Sequence, residues 1–219
     1  MEIKTDLQNI LCEKKEDTSP SQFLIESLPL KRAVIDYIEI FLSKEEATNL
    51  FDFCLKKLPF DDHKVRIYGK YLLQPRKTCA FGIKSYSYSG LTLQTQPMPP
   101  EFNYVIDRLM LVLPEGHPRP DTVLCNLYEN GDRYISQHSD SLKDLEENAC
   151  ICGLSLGATR HFDLKGKDKE EDEKYRLDLT HGSLIIMGKG TQTFYTHGVP
   201  IQKTIKDPRI NLTFRVSKK

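Results

Sequence analysis

Tryptophan is absent from this sequence of 219 residues, and so is a net charge, because 31 Lys and Arg balance 31 Asp and Glu. This balance excludes a uniform positive field that would draw the whole protein to nucleic acid or to an anionic membrane, although it permits a local basic patch. No apolar run approaches the roughly 18 residues of a membrane-spanning helix, and Met1–Asp6 has no apolar signal segment. We therefore expect an intracellular protein, in the nucleus or the cytoplasm, with no membrane partner.

Cysteine is sparse and unpatterned. The six cysteines are scattered without a C-x-x-C pair, which disfavours a zinc ribbon and a disulfide framework. Most of them stand in apolar runs, so we expect buried, reduced thiols. The chain is long enough for one globular domain, which we place at residues 21–219 behind a flexible tail at residues 1–20.

Helical signals are confined to the N-terminal half. The apolar run Val34–Phe41 predicts a strand, and Ser43 with Glu46 then forms the capping box of an amphipathic helix that Pro59 ends. Apolar residues at three- and four-residue spacing predict a second helix over Glu101–Leu113.

From residue 122 onward the pattern changes to short apolar runs separated by turns. Many short strands of this kind are typical of an antiparallel sandwich or barrel. The charged stretch Lys165–Lys174 predicts a solvated hairpin loop between two of them. The predicted strands are Val123–Tyr128, Ala149–Leu156, His161–Leu164, Tyr175–Leu179, Leu184–Met187, Thr193–His197 and Arg209–Val216.

Two histidines and one aspartate in this half have the chemistry of a metal site. His138-Ser-Asp140 and the later His197 supply two imidazoles and a carboxylate, which can occupy one face of an octahedral iron(II) and leave positions for a cosubstrate and oxygen. A second pair with the same spacing, His161-Phe-Asp163, lies in a core-like strand. We interpret His161 as a hydrogen-bonded structural residue.

Strict alternation in the last strand predicts one polar and one apolar face. Two guanidinium groups on one interior face fit the two carboxylates of a dicarboxylic acid, whereas an edge strand with a solvated polar face would show the same alternation. Asn126 and Tyr128 share a face of an earlier strand and can add hydrogen bonds. The predicted polar face is Arg209, Asn211, Thr213 and Arg215, and the apolar face is Ile210, Leu212, Phe214 and Val216.

These motifs, in this order, resemble the AlkB-type Fe(II)/2-oxoglutarate-dependent dioxygenases, and most closely the eukaryotic-type branch that repairs alkylated double-stranded DNA. The resemblance extends over roughly residues 60 to 216. It implies a mostly β fold with flanking helices (α+β), in which residues 121–216 form a double-stranded β-helix, or jelly-roll, core. Residues from about 60 to 100 would form a nucleotide-recognition lid.

The resemblance also implies roles for the motif residues, with Fe(II), 2-oxoglutarate and O2 as cofactor and cosubstrates. His138, Asp140 and His197 would hold the iron. The residues implied to bind 2-oxoglutarate are Arg209 and Tyr128 at the distal carboxylate, Arg215 and Asn126 toward the metal-chelating end, and Asn211 and Thr213 in support.

The lid would recognise an extruded base. A side-chain wedge at the tip of a hairpin could fill the vacated stack, two tyrosines could sandwich the base, and nearby cations could bind phosphates. An ordinary hairpin with cross-strand aromatics and solvated lysines would have the same sequence. The candidates are Ile67, Tyr68 and Gly69 at the tip, Tyr86 and Tyr88 for the sandwich, and Lys64, Arg66, Lys70, Arg76 and Lys77 for phosphates.

One departure from the family pattern concerns the position just after the H-x-D motif. Related enzymes carry an acidic residue there that meets the flipped base. Here Asp140 is followed by Ser141, which we retain as a candidate substrate contact, and the next acid is Asp144. The identity of the base is therefore open.

The function implied by the resemblance is oxidative demethylation of N-alkylated bases such as 1-methyladenine and 3-methylcytosine in DNA, with release of formaldehyde and succinate. Demethylation of RNA, or hydroxylation of a protein or small molecule, would use the same cofactors. A nucleic-acid-binding module with a vestigial metal site is the non-enzymatic alternative. We expect a monomer.

Overall fold

The computed structural model describes residues 23–67, 69–88, 90–168 and 173–218. The predicted N-terminal tail and the wedge candidate Tyr68 lie outside these ranges. In chain order the strands are β1 Glu26–Ser27, β2 Ile35–Ile38, β3 Asp61–Ile67, β4 Lys70–Gly82, β5 Tyr86–Tyr88, β6 Leu91–Leu93, β7 Thr122–Tyr128, β8 Ile135–His138, β9 Ile151–Gly157, β10 Arg160–Gly166, β11 Lys174–Leu179, β12 Leu184–Met187, β13 Tyr195–Val199 and β14 Arg209–Arg215.

Two antiparallel sheets form the core of the described chain. The larger has the strand order β1-β2-β12-β9-β14-β7-β4-β3, the smaller has the order β11-β10-β13-β8, and β5 and β6 pair separately. This arrangement confirms the predicted mostly β fold with a jelly-roll core and flanking helices. The β3–β4 hairpin, which lies in the predicted lid segment, is continuous with the larger sheet through the pairing of β4 with β7.

The two longer helices pack on the outer face of the larger sheet. Helix α1, Lys44–Lys57, begins at Ser43 with the predicted capping box, in which Ser43 and Glu46 each satisfy the other's backbone N–H. Helix α2, Pro100–Leu109, buries four apolar residues at helical spacing, and α3, Thr191–Phe194, is a single turn.

The alternation of β14 separates two apolar layers. Ile210, Leu212 and Phe214 belong to the cluster between the larger sheet and the helices. A second cluster, which includes Phe162 and Leu164 from the smaller sheet, fills the space between the sheets. The predicted assignment of apolar and polar faces in β14 is confirmed, and the polar face points between the two sheets.

Two predicted elements were too long. The first strand is limited to β2 because the N–H groups of Phe41 and Leu42 donate to the carbonyl of Gly182, 3.1 Å away in both cases. Helix α2 ends at Leu109, after which the chain continues in tighter turns, with Val112 N–H donating to the Leu109 carbonyl.

The predicted strand Thr193–His197 is wrong in its first half. Gly190 adopts φ +84°, and a Cβ there would lie 2.0 Å from the Arg32 carbonyl oxygen, so only glycine fits. This turn starts α3, and strand β13 begins only at Tyr195.

Cys54, Cys79, Cys125, Cys150 and Cys152 are buried free thiols, as predicted for them, whereas Cys12 lies outside the described residues. Burial raises the pKa of Cys54, Cys125, Cys150 and Cys152.

Over the ranges that the structure describes, none of the helices has both the length and the apolar composition needed to span a membrane.

Candidate active site

The smaller sheet brings His138 and His197 together. They are directly opposed partners of the antiparallel pair β8 and β13, with ring centroids 4.4 Å apart. Asp140 follows β8 by two residues, and its Oδ1 lies 3.5 Å from His138 Nε2. One ligand atom from each of the three residues lies within 4.8 Å of the others, so together they can hold one divalent cation.

Hydrogen bonding prepares His138 as a ligand. Its Nδ1 lies 2.8 Å from the Ser136 carbonyl oxygen, which can only accept, so the proton belongs on Nδ1. The lone pair is then on Nε2, the atom that faces Asp140. A second contact orients such a ligand and fixes its tautomer.

Charge and burial set the protonation of the other two candidates. Burial alone would raise the pKa of Asp140, but Arg215, whose Nη2 lies 2.8 Å from Oδ2, acts together with His138 and His197 to outweigh burial and hold the pKa well below its usual range. Burial lowers the pKa of His197 to about 4. A carboxylate and a neutral imidazole, the forms that coordinate metals, are therefore present at neutral pH.

The second H-x-D pair faces away from this cluster. Only Phe162 points inward, where its ring stacks on His197 with centroids 5.4 Å apart. His161 Nδ1 bonds Asp178 Oδ1 at 2.5 Å, and Asp163 forms an ion pair with Arg176 at 2.6 Å. The hydrogen-bonded structural role predicted for His161 agrees with this geometry.

The larger sheet contributes the opposite wall. Strands β7 and β14 pair in a register that sets Tyr128 against Arg209 and Asn126 against Asn211. Thr213 Oγ1 donates to Asn211 Oδ1 at 2.7 Å. The structure therefore brings all six candidate cosubstrate residues onto one wall facing the triad.

Two arginines at the protein interior have contrasting surroundings. Arg160 is 1% exposed, and its guanidinium donates to Gln202 Oε1 and to three backbone carbonyls at 2.7 to 3.1 Å. Arg209 is 2% exposed, and its Nη2 donates to Ser155 Oγ at 2.9 Å. Its Nε and Nη1 have no hydrogen-bond partner among the described residues.

Buried hydrogen-bond donors of this kind require acceptors, and a guanidinium binds a carboxylate through a bidentate pair of hydrogen bonds. The Tyr128 ring lies 5.3 Å from the guanidinium and covers one face of it. Burial lowers the pKa of Arg209 to about 10, so the group stays charged at neutral pH. The residues present therefore fit a bound carboxylate at this position.

One cavity of about 540 Å³ joins these parts. This volume suits a small ligand and is large enough for a dicarboxylic acid together with a flat heterocycle. Its lining includes the triad, the cosubstrate wall, Arg76 and, near the entrance, Ser141 and Asp144.

The entrance is bordered by the β3–β4 hairpin. Gly69 and Lys70 are exposed at its turn, as are Lys64 and Arg66 on β3. The backbones of Ile67, Tyr86 and Tyr88 lie in β3 and β5, whereas the placement of their side chains lies outside what the structure describes.

Two expected phosphate contacts are corrected. Arg76 lies inside the cavity, 7% exposed, where its Nε donates to Asn126 Oδ1 at 2.8 Å. Lys77, on the opposite face of β4, forms an ion pair with Glu129 at 2.8 Å. Alternation along the strand separates these two neighbours, and neither side chain carries a local signal for which of them turns inward.

Sequence reasoning also missed residues that support the site. Gln192 Oε1 accepts the Asp140 backbone N–H at 2.8 Å and so positions the carboxylate loop. Leu72 and Leu73 line the cavity while remaining about half exposed, at 48% and 56%. Three consecutive large side chains beginning at Tyr71, inside a strand rich in cations, were the available signal for an apolar entrance.

Comparison with known proteins identifies the family. Residues 35–215 match the 2OG-Fe(II) oxygenase superfamily. The DNA oxidative demethylase ALKBH2 of Bos taurus is 35% identical over 191 residues, which cover 82% of this chain and 67% of the relative. ALKBH2 of Homo sapiens is 32% identical over 187 residues, covering 80% and 70%. The alpha-ketoglutarate-dependent dioxygenase alkB homolog 3 of Homo sapiens is 36% identical over 151 residues, covering 65% and 51%.

A solved structure supports the fold independently. The structure of OsALKBH1 aligns with a TM-score of 0.61 at 19% sequence identity, covering 87% of this chain and all of that chain. The chain therefore belongs to the 2OG-Fe(II) oxygenase superfamily and, within it, to the AlkB-type family.

Proposed function

We propose that this protein is an Fe(II)- and 2-oxoglutarate-dependent oxidative demethylase that removes N-alkyl groups from bases such as 1-methyladenine and 3-methylcytosine in DNA. The observation that carries the proposal is the single cavity in which a two-histidine, one-carboxylate cluster faces a buried arginine whose Nε and Nη1 have no partner among the described residues. The relatives named as DNA oxidative demethylases support DNA as the substrate class.

In this proposal His138, Asp140 and His197 hold the iron. The chemistry that iron supplies when bound is oxidation by O2, in which 2-oxoglutarate becomes succinate and CO2 while the N-methyl carbon gains a hydroxyl group. The hydroxymethyl group then leaves the base nitrogen as formaldehyde, and this loss restores the unmodified base. Each turnover therefore releases one formaldehyde and one succinate.

The chain's own residues bind and orient. Arg209 pairs with the distal carboxylate of 2-oxoglutarate, and Tyr128 packs against the same end. Arg215 keeps Asp140 charged and fixed through its 2.8 Å ion pair. Phe162 covers one face of His197 and excludes water from that side of the cluster.

The position of the cluster at the floor of the cavity explains why a base must be extracted from the duplex. A base stacked inside a duplex cannot reach a cluster on the cavity floor, so it must be flipped out. Leu72 and Leu73 offer an apolar surface at the entrance, and the exposed Lys64, Arg66 and Lys70 on the same hairpin supply local positive charge for phosphates. This local charge compensates for the zero net charge of the whole chain.

The proposal needs only one chain, because all residues of the triad and the cosubstrate wall come from the same domain. We therefore propose that the protein acts as a monomer. RNA remains the competing nucleic-acid substrate, since the same entrance would admit a base from an unpaired strand.

The test is release of formaldehyde and succinate by the purified protein with Fe(II), 2-oxoglutarate and O2. Duplex DNA, single-stranded DNA and RNA carrying 1-methyladenine are compared with unmodified strands. We expect equal amounts of the two products, dependent on methylated DNA. Succinate without formaldehyde, or formaldehyde from RNA alone, would contradict the proposal.

The two H-x-D motifs provide a matched pair of variants. Asp140→Asn removes the candidate ligand, and we expect it to abolish both products. Asp163→Asn makes the same change in the outward-facing motif, where the carboxylate only pairs with Arg176. Equal loss in both variants would show that folding, not coordination, limits the activity.

A further inference from the structure

Strand β4 is bordered by β3 on one edge and by β7 on the other, and Arg76 lies next to the point where the second pairing begins. β4 pairs with β3 from Lys70 to Thr78, and it pairs with β7 from Lys77, which is opposite Leu127, to Gly82. A register shift between Asp62 and Lys64 leaves residues 74 to 76 of β4 facing only one residue of β3. Thr78 is opposite Asn126 in the β4–β7 pairing, so alternation along β4 places Arg76 on the same face as Asn126, where both line the cavity.

Inside the cavity Arg76 meets an amide. Its Nε donates to Asn126 Oδ1 at 2.8 Å, and both side chains are buried, 7% and 5% exposed. A guanidinium has donors only, so the Asn126 atom that faces it must be the oxygen. The contact therefore fixes which way round the amide stands.

With its oxygen held by Arg76, Asn126 presents its NH2 group on its other side. Asn126 stands opposite Asn211 in the β7–β14 register, next to the pair of Tyr128 and Arg209, so the amide belongs to the cosubstrate wall. A fixed donor there suits a carboxylate, whereas a rotated amide would oppose it with an oxygen lone pair.

The charge of Arg76 acts in the same direction. The described cavity lining contains three buried guanidinium groups, those of Arg76, Arg209 and Arg215, against one buried carboxylate, that of Asp140. A dianionic ligand would offset part of this positive charge, to which a bound divalent cation would add, and desolvation strengthens its attraction to each cation.

We infer that Arg76 is a positioning residue for 2-oxoglutarate: it orients the Asn126 amide and adds a third positive charge to the cosubstrate wall. The inference rests on the proposed function, in which this wall binds 2-oxoglutarate. It removes Arg76 from the surface that contacts DNA phosphates.

The experiment measures binding of 2-oxoglutarate to the full chain loaded with Mn(II), by calorimetry, and so does not depend on turnover. Arg76→Gln should weaken binding about tenfold, the loss expected for one buried charged hydrogen bond. Lys77→Gln removes the same charge from the adjacent residue on the opposite face and should leave the dissociation constant unchanged. Thermal unfolding of each variant checks the fold.

A double-mutant cycle isolates the positioning role. In an Asn126→Ala background, Arg76→Gln should weaken binding by no more than about threefold, because the amide that it orients is gone. Additive effects would overturn the inference, as would an unchanged dissociation constant in Arg76→Gln. Michaelis constants offer a second criterion, since that for 2-oxoglutarate should rise while that for methylated DNA should not.

If Arg76→Gln fails to fold, Asn126→Asp tests the same geometry. The aspartate keeps an oxygen for Arg76 but replaces the NH2 donor with an acceptor, so 2-oxoglutarate binding should fall by at least about tenfold. Wild-type affinity in this variant would overturn the inference. Failure of the proposed function is distinguishable, because it appears as absent formaldehyde release by the wild-type protein.

Discussion

Replacing Arg209 with methionine should make the protein without ligands more stable and unable to bind 2-oxoglutarate. Burial lowers the pKa of Arg209 from 12.5 to about 10, which corresponds to about 3 kcal/mol against the charged form. The variant removes this free-energy cost of burying a charge. It also loses the 2.9 Å hydrogen bond to Ser155, which contributes about 1 to 1.5 kcal/mol.

The balance predicts a gain of about 1 to 2 kcal/mol in the free energy of unfolding, or roughly 2 to 8 °C in Tm for a chain of this size. Adding 2-oxoglutarate and Mn(II) should make the wild-type protein more stable than Arg209→Met. At a concentration of 100 times Kd, the ligand stabilises the wild-type protein by about 2.7 kcal/mol. Arg209→Met should show the shift caused by Mn(II) alone.

Arg160→Met is the control, because that arginine is equally buried but bonds four acceptors. It should lose more than about 3 kcal/mol, since its removal leaves several buried carbonyls unsatisfied. Thermal unfolding of the wild-type protein and the two variants, with and without 2-oxoglutarate, measures these differences in stability. If Arg209→Met is destabilised like Arg160→Met, or keeps the 2-oxoglutarate shift, the assignment of Arg209 as a carboxylate receptor is refuted.

Three further predictions concern the metal cluster, a helix and a turn. Asp140→Asn should weaken Mn(II) binding on the order of 100-fold by calorimetry, and retained affinity would exclude it as a ligand. Hydrogen bonds and a nearby cation outweigh burial and lower the pKa of Glu46, so its stabilisation is present above the unfolded pKa and disappears as pH falls through the folded one. In urea unfolding, Glu46→Gln should therefore cost about 1 to 2 kcal/mol at pH 7 and progressively less as the pH falls through the lowered pKa; a pH-independent cost would contradict the ion pairing. Gly157 has φ +87° and a Cβ there would lie 2.4 Å from a carbonyl oxygen, so alanine should cost more than about 2 kcal/mol. Gly69→Ala, with φ +79° and open space, should cost only about 1 kcal/mol, and similar losses at both positions would contradict the steric argument.

Local patterns in the sequence predicted the parts of the structure that depend on neighbouring residues. The two faces of β14 follow from the period-two geometry of an extended chain, and the start of α1 follows from the reciprocal bonds of Ser43 and Glu46. The same alternation predicted the shared face of Asn126 and Tyr128 on β7.

Features that depend on pairing between distant strands were not predictable in this way. The direct opposition of His138 and His197 is set by the register of β8 and β13, two strands separated by more than 50 residues. The inward position of Arg76 depends on the register that sets Thr78 of β4 opposite Asn126 of β7, and the bonds that saturate Arg160 come from loops around residues 130 and 200. No single segment contains this information.

The buried thiols have a consequence for a protein that works where alkylating agents are present. The electrophiles that methylate base nitrogens also attack thiolates, and a buried thiol with a raised pKa offers neither access nor the reactive anion. All five cysteines in the described part of the chain are buried in the apolar cluster between the larger sheet and the helices, and burial raises the pKa of four of them, Cys54, Cys125, Cys150 and Cys152. The fold therefore protects these buried thiols from the class of reagent whose damage the active site is proposed to reverse.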